Sequence, residues 1–245
     1  FSDQEEADLG EQFANEMEKD LNINDDADLN SYIQELGQLL VNHSKRHNIV
    51  YTFKIVNSEE VNAFAIPGGY VYINVGLLRM SENESELAGV IAHEIGHVVE
   101  RHGMKQLTKQ MGLVMISQLI FGGDPDKVRE VISQIILSGV LMKYSRDAER
   151  GADRNAVEIT YAAELNPYGM VKFFEKLQRQ KSRNDSQISA QIQKLTSSHP
   201  LTSERISNVK KLISELPPRP LSQRSSQHFF LLKKKLPPPE KSDSH

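Results

Sequence analysis

Apolar residues recur every three or four positions over most of the chain, a spacing typical of helices that bury one face. The first such segment opens with Ser2 and Glu5, a capping-box pattern, and a second covers about residues 28–47. Further helix starts are indicated by capping residues or by proline at the first helical position. They lie at Ser81 or Asn83, Asp124–Pro125, Ser145, Asn166–Pro167 and within 201–213. The pattern therefore predicts a mainly helical protein.

The spacing of apolar residues changes to that of strands in the next part of the chain. Residues 50–56, 62–66 and 70–74 are rich in β-branched and aromatic side chains. The sequence Pro-Gly-Gly-Tyr at 67–70 is a turn signal between the last two of these segments. Three short strands among many helices predict an α+β fold with a small three-stranded sheet.

Two regions lack a clear apolar pattern. Residues 178–191 are polar and predict a mobile loop. Residues 217–245 are rich in proline, serine and lysine, which predicts a tail that is poorly ordered or packed on the surface. We therefore expect a single domain, residues 1–216, followed by this tail. Either the polar segment 181–198 or the amphipathic segment 104–144 could cover a cleft as a lid.

Composition narrows the classes of function. The 245-residue chain has a net charge of −4 and no cysteine. The lack of cysteine excludes thiolate metal ligands, a cysteine nucleophile and disulfides, and the mild charge gives no sign of a nucleic-acid partner. The most apolar windows, 112–123 and 131–144, are each too short to span a bilayer. These windows predict a soluble or peripheral protein. Because the chain opens on Phe1 rather than methionine, we expect a processed or truncated product, from which an export signal could have been removed.

Two histidines and a glutamate lie inside the apolar segment that follows Asn83. His93, Glu94 and His97 have the spacing H-E-x-x-H, and residues four apart lie on one face of a helix. The two imidazoles can therefore bind one metal ion, while the Glu94 carboxylate reaches a water molecule at the metal without binding the metal itself. The alternative is a helical core in which the histidines only form hydrogen bonds.

A catalytic zinc site needs a third protein ligand. Glu149 is the best candidate, because Asp153 lies one turn further on the same helical face and could accept the free N–H of a metal-bound imidazole. The alternative for this pair is an exposed acidic face with ion pairs to nearby arginines. By helical geometry His102 is expected to face away from His97, as a surface or second-layer residue, and Glu100 is expected to be a solvated charge.

Four segments of the chain together resemble the M48 metallopeptidases, the soluble or periplasmic relatives of the membrane-bound CAAX-processing and HtpX-type peptidases. The resemblance covers most of residues 1–215 and does not extend beyond about Pro217. It implies a mainly helical, gluzincin-like zincin domain whose active-site helix carries the H-E-x-x-H motif. The four segments are residues 62–78, 90–102, 145–153 and 198–206.

The resemblance implies one zinc ion per chain, held by His93, His97 and Glu149. Glu94 would then be the general base, and Asp153 the carboxylate that orients a zinc-bound imidazole. The implied activity is that of a zinc-dependent endopeptidase, which hydrolyses peptide bonds in protein substrates with metal-activated water.

The resemblance also implies roles around the metal. Asn62, Ala63 and Phe64 match an edge strand that aligns the substrate backbone by strand addition. His199 matches a histidine near the metal, which could stabilise the transition-state oxyanion or close the site as a fourth ligand. An ordinary loop residue is the alternative for His199. Arg205 matches an arginine for which a substrate-carbonyl role and a structural ion pair are both open.

Other classes of function stay open on the sequence alone. His199 could close the site and leave a zinc-binding, chaperone-like or envelope-assembly factor, or the motif could be fortuitous in a helical interaction module. A peptide deformylase is excluded because its third metal ligand is a cysteine. We expect a polypeptide substrate, no nucleic acid, and peripheral membrane or envelope association. The expected location is the periplasm or the bacterial cell envelope, with the cytoplasm as the alternative.

Overall fold

Helices make up most of the structure, a computed structural model that describes residues 1–122, 124–182, 186–221 and 226–236. The helices in these residues are α1 (Asp3–Met17), α2 (Ala27–Val41), α3 (Val75–Met80), α4 (Glu84–Val99), α5 (His102–Phe121), α6 (Pro125–Ser138), α7 (Arg146–Ala162), α8 (Tyr168–Ser182), α9 (Ser186–Ser198), α10 (Ser203–Ser214) and α11 (Gln227–Lys235). Across the described ranges, no helix combines the length and the apolar character that a bilayer span requires. The predicted mainly helical α+β fold is confirmed.

A three-stranded sheet lies between α2 and α4 in the chain. Its strands are β1 (Thr52–Val56), β2 (Ala63–Ile66) and β3 (Tyr70–Asn74), in the order β1-β3-β2. β3 pairs in parallel with β1 and antiparallel with β2, so β2 lies at one edge. The Pro67–Gly69 turn joins β2 to β3. Gly69 has φ +91, and a Cβ there would lie 2.5 Å from the Val50 carbonyl oxygen, so the tight return needs glycine.

Helix α4 forms the centre of the molecule. All of its residues except Val99 are buried, and it packs most extensively against α7 and also against α8, α2 and β2. The approach to α7 is close because Gly96 faces it. A Cβ at Gly96 would lie 2.8 Å from the Ala152 carbonyl oxygen. The side chains on the facing sides of α4 and α7 therefore lie close together.

The helix starts predicted from capping residues are confirmed by side-chain hydrogen bonds. In each case an Asn, Asp or Ser side chain accepts from a backbone N–H two or three residues further on, which satisfies a free donor of the first turn. The pairs are Ser2 with Glu5, Asn83 with Glu86, Asp124 with Asp126, and Ser145 with Ala148.

The mobile loop predicted for residues 178–191 is wrong. Helix α8 continues to Ser182 and α9 begins at Ser186, while 183–185 lie outside the described residues. Further along α9, Ile192 and Leu195 are buried in the core, and the Gln191 carbonyl accepts a hydrogen bond from the Val61 N–H at 2.9 Å. Two buried residues three apart hold this polar segment as a helix.

Part of the predicted tail packs on the domain. Helix α11 buries Phe229 and Leu232 and contacts α2, and Lys233 donates to the Arg79 carbonyl oxygen at 3.0 Å. Residues 222–225 and 237–245 lie outside the described residues. The division into a domain of residues 1–216 and a separate tail stays a prediction.

Candidate metal centre

Helix α4 places the two histidines of the H-E-x-x-H motif side by side. His93 and His97 are one turn apart, and their Nε2 atoms are 3.1 Å from each other. Both imidazoles are buried, and so is the Glu94 carboxylate between them in sequence. This is the paired arrangement that the spacing predicts.

Helix α7 brings Glu149 to the same point. Its Oε2 lies 3.4 Å from Nε2 of His93, and its Oε1 lies 3.5 Å from Nε2 of His97. Glu149 stands in the first turn of α7, and the close contact of α7 with α4 at Gly96 sets its distance from the histidines. The alternative of an exposed acidic face is wrong, because Glu149 and Asp153 are both buried.

His199 completes the cluster from the end of α9. Its backbone N–H bonds to the Leu195 carbonyl, which extends the last helical turn to this residue. Its Nδ1 lies 3.0 Å from Oε1 of Glu149 and 3.4 Å from Nε2 of His93. One ligand atom from each of His93, His97, Glu149 and His199 lies within 4.8 Å of the other three.

The spacing of these atoms fits a small divalent ion. Zinc binds imidazole nitrogen at about 2.0–2.1 Å in tetrahedral sites, which puts neighbouring ligand atoms about 3.3 Å apart. The distances from His93 to His97 and His199, and from Glu149 to all three histidines, run from 3.0 to 3.5 Å. Five of the six residue pairs therefore approach at separations typical of metal ligands, and one atom from each of the four residues lies within 4.8 Å of the others.

Buried negative charge and carboxylate oxygens without hydrogen-bond partners also support a divalent metal ion at this site. Among the described residues, both carboxylate oxygens of Glu94 and Oε2 of Glu149 are buried without a hydrogen-bond partner. With neutral imidazoles, the carboxylates of Glu94, Glu149 and Asp153 outnumber the single guanidinium of Arg205 by two charges. Buried charge of one sign is costly unless an opposite charge compensates it, and a divalent cation would do so.

The pKa values of the ligand side chains also indicate that the buried cluster favours added positive charge. Burial and the Arg205 guanidinium lower the pKa of His93, but its hydrogen bonds to Asp153 and Glu149 outweigh them and raise it to about 9. Burial would raise the pKa of Glu149, yet hydrogen bonds with His199 and His93 hold it far below its usual value. Burial lowers the pKa of His97, which keeps that imidazole neutral. Because metal binds to neutral imidazole and ionised carboxylate, an ion at this site would displace the proton of His93.

Asp153 and Arg205 support the ligands from behind. Nδ1 of His93 lies 3.0 Å from an Asp153 oxygen, the contact that fixes an imidazole while its other nitrogen faces a metal. Arg205 donates two hydrogen bonds to Asp153, at 2.6 and 2.7 Å. Its Nη1 is also 2.7 Å from Oε2 of Glu149, without hydrogen-bond geometry. Arg205 thus forms a buried ion pair behind the ligands, and its role toward substrate stays a prediction.

The prediction that His102 faces away from His97 is wrong. Helix α4 ends at Val99, and Arg101 has φ +53 in the left-handed region, so the angles of a continuous helix do not apply to His102. His102 is buried, and its Nδ1 lies 3.0 Å from Nδ1 of His97. Burial and nearby Lys105 lower the pKa of His102 to about 4.

Tyr144 is a site residue that the sequence analysis missed. Its ring stacks on His97, with ring centroids 3.9 Å apart and planes 22° apart, and it lies 5.9 Å from the rings of His102 and His199. The signal that could have found it is its position directly before Ser145, the residue that caps the helix of Glu149.

The residues predicted to bind substrate backbone lie on and beside β2. Ala63 and Phe64 belong to this edge strand, and Asn62 precedes it. All three are buried, and Oδ1 of Asn62 has no hydrogen-bond partner among the described residues. The structure packs β2 against α4, and a role of these residues in substrate binding stays a prediction.

Comparison with known families agrees with this geometry. The family model for peptidase family M48 matches residues 27–213, which hold His93, His97, Glu149 and His199. The chain belongs to this family. As an M48 metallopeptidase, the protein is expected to use a metal ion at its active site, and the cluster of three histidines and a glutamate can bind one.

Curated relatives of this M48 chain are named as proteases. The beta-barrel assembly-enhancing protease of Escherichia coli (strain K12) is 28% identical over 239 residues, 94% of this chain and 47% of the relative. Metalloprotease YcaL of the same strain is 28% identical over 165 residues, 66% of this chain and 62% of the relative. The mitochondrial metalloendopeptidase OMA1 of Schizosaccharomyces pombe is 23% identical over 184 residues, 75% of this chain and 53% of the relative.

These relatives support a role as a metal-dependent peptide hydrolase. The chain spans about half the length of the beta-barrel assembly-enhancing proteases it matches.

Proposed function

We propose that this M48 chain is a zinc-dependent endopeptidase that cleaves peptide bonds in protein substrates. The observation that carries the proposal is the set of buried ligand atoms from His93, His97, Glu149 and His199, all within 4.8 Å of one another. Imidazole and carboxylate ligands in a compact set suit zinc, and one ion per chain fits. In this role His93, His97 and Glu149 are the three permanent ligands.

The side chains around the ligands have separate roles in hydrolysis. Zinc at such a site supplies Lewis acidity, which polarises a carbonyl group and makes a water molecule more acidic. Glu94 is the general base, because burial raises the pKa of its carboxyl and its two oxygens have no hydrogen-bond partner among the described residues. It takes a proton from water and passes it to the leaving amine. His199, 3.6 Å from Glu94 through Nε2, donates toward the developing oxyanion.

Residues behind the metal ligands position His93, and residues on the sheet would position the substrate. Asp153 orients His93, and Arg205 holds Asp153 through its paired hydrogen bonds. The backbone of the edge strand β2 would align an extended substrate by strand addition, with the buried residues Asn62, Ala63 and Phe64 on or beside it.

Replacement of the general base tests the proposal. Glu94→Gln removes the proton acceptor and keeps the shape of the side chain, so we expect full zinc content and at least about 100-fold less cleavage of an unfolded protein such as casein. Zinc is measured by elemental analysis, and cleavage with and without chelator. Stoichiometric zinc with unchanged turnover in this variant would show that Glu94 is not the general base. Absence of zinc in the wild-type protein would contradict the proposed zinc-dependent peptidase activity.

A second function is favoured by the short distances between His199 and the other ligands. A fourth ligand in place of water would leave a zinc-binding, chaperone-like or envelope-assembly factor without open coordination. His199→Ala separates the two functions. We expect the variant to keep zinc and to lose about 10²–10³-fold in kcat, as when an oxyanion donor is removed. A gain in cleavage on removal of His199 would instead identify it as the residue that closes the site.

We propose a periplasmic or envelope-associated location in a bacterium. Support comes from the relatives named as beta-barrel assembly-enhancing proteases, which cover most of this chain at 28% to 29% identity. The substrate in this proposal is a polypeptide of the cell envelope. Peripheral association with the membrane is part of the same proposal.

A further inference from the structure

A cavity of about 540 Å³ adjoins the metal centre on the side of His97. Tyr144 and His102 form its inner wall, and both contact the His97 imidazole on their other side. Tyr144 also lines a second cavity of about 300 Å³, which contains Glu149 and Arg205. The larger cavity is therefore separated from the ligands by one layer of side chains.

Two helices line this cavity with basic residues. Lys105 and Lys109 lie four apart on α5, and Arg150 and Arg154 lie four apart on α7. All four side chains are exposed. Like charges four apart on a helix are unfavourable by a few tenths of a kcal/mol, so two such pairs on one cavity do not arise from helix stability.

Most of this positive charge is not neutralised within the protein. Arg150 forms an ion pair with Asp147, whereas Lys105, Lys109 and Arg154 have no ion pair in the described ranges. Glu100, the second carboxylate in the lining, accepts a hydrogen bond from Asn155 on α7. Four cations against two carboxylates leave a cavity with a net positive charge in a chain whose net charge is −4. A cleft lined by one sign of charge raises the local concentration of groups of the opposite sign.

We propose that this cavity is a substrate subsite that selects acidic side chains in polypeptides. The proposal rests on the proposed peptidase function and adds a preference for Asp or Glu near the cleaved bond. The cavity volume lies within the range of ligand pockets, about 300–1,000 Å³, and is large enough for an acidic side chain with its neighbours. The carboxylate pairs with Lys105 and Lys109 on one wall and with Arg154 on the other.

A binding experiment tests the subsite without relying on cleavage. Zinc-loaded Glu94→Gln protein is titrated into two fluorescent unstructured peptides, one with Asp and Glu and the other with Asn and Gln at the same positions. We expect the acidic peptide to bind about threefold to tenfold more tightly at low salt, and the difference to shrink at high salt. Adding Lys105→Gln and Lys109→Gln together is expected to abolish the difference.

The matched control is Lys172→Gln, an exposed lysine on α8 that does not line the cavity. It should keep the preference for the acidic peptide. Equal binding of the two peptides, or a preference that survives Lys105→Gln with Lys109→Gln, would overturn the subsite while cleavage of casein still upholds the peptidase. A lysine-dependent preference in a protein that cleaves nothing would uphold the subsite and overturn the proposed function.

Discussion

Glu149 contacts all three histidines of the metal centre. Its two oxygens lie within 3.5 Å of a nitrogen of each of the three histidines, and Arg205 lies 2.7 Å from it. Removal of this carboxylate takes away a metal ligand and one ion-pair partner of Arg205, which keeps its hydrogen bonds to Asp153. Breaking a buried ion pair by removing one partner is strongly unfavourable.

We therefore expect Glu149→Ala to weaken zinc binding by more than about 100-fold, beyond the 10–100-fold typical of a residue that only orients a ligand. Glu100→Ala is the matched control, because Glu100 bonds to Asn155 and contacts none of the four ligands within hydrogen-bond distance among the described residues. Zinc retention after dialysis against a graded chelator measures both. Equal retention in the two variants would exclude Glu149 as a ligand.

At single residues, the sequence predicted those parts of the site that depend on helical spacing. His93 with His97, and Glu149 with Asp153, are each four apart within one helix, and the structure brings both pairs together. His102 was misplaced because the left-handed Arg101 ends the helix before it. Tyr144 has no such periodic signal, since it lies outside a helix and meets His97 only through the tertiary fold.

At the scale of elements, local chemistry predicted where most helices begin. Side-chain caps such as Asn83 and Ser145 act within one turn, so their effect is visible in the sequence. The three strands follow from β-branched and aromatic residues, with a glycine turn between β2 and β3. The segment of α9 was missed because its polar composition resembles a loop, and only contacts with distant parts of the chain, such as the Val61 bond, fix it as a helix.

The pairing of α4 with α7 explains why two motifs more than 50 residues apart in the chain act together. Gly96 lets the Ala152 backbone approach, and the contact places Glu149 and Asp153 beside the histidines of α4. Sequence spacing predicts which residues share a face of each helix. It does not predict that the two faces meet, because that depends on packing between elements far apart in the chain.

At the scale of the whole molecule, the metal centre joins three separate segments of the chain. α4 gives His93 and His97, α7 gives Glu149, and the end of α9 gives His199. An ion bound by all of them links the central helix to its neighbours and compensates buried negative charge. Such binding stabilises the folded state, because the ligands are not held together in the unfolded chain.

Removal of the metal is therefore expected to lower the thermal stability of the protein. A ligand present at 1,000 times its dissociation constant adds about 4 kcal/mol to the free energy of unfolding. For a chain of this size, Tm typically shifts by about 2–4 °C for each kcal/mol. We expect chelation to lower Tm by about 8–16 °C, and added zinc to restore it, as measured by calorimetry. Glu149→Ala is the control, since its Tm should respond little to chelator. An identical Tm with and without zinc in the wild-type chain would show that the cluster carries no structural ion, whatever its activity.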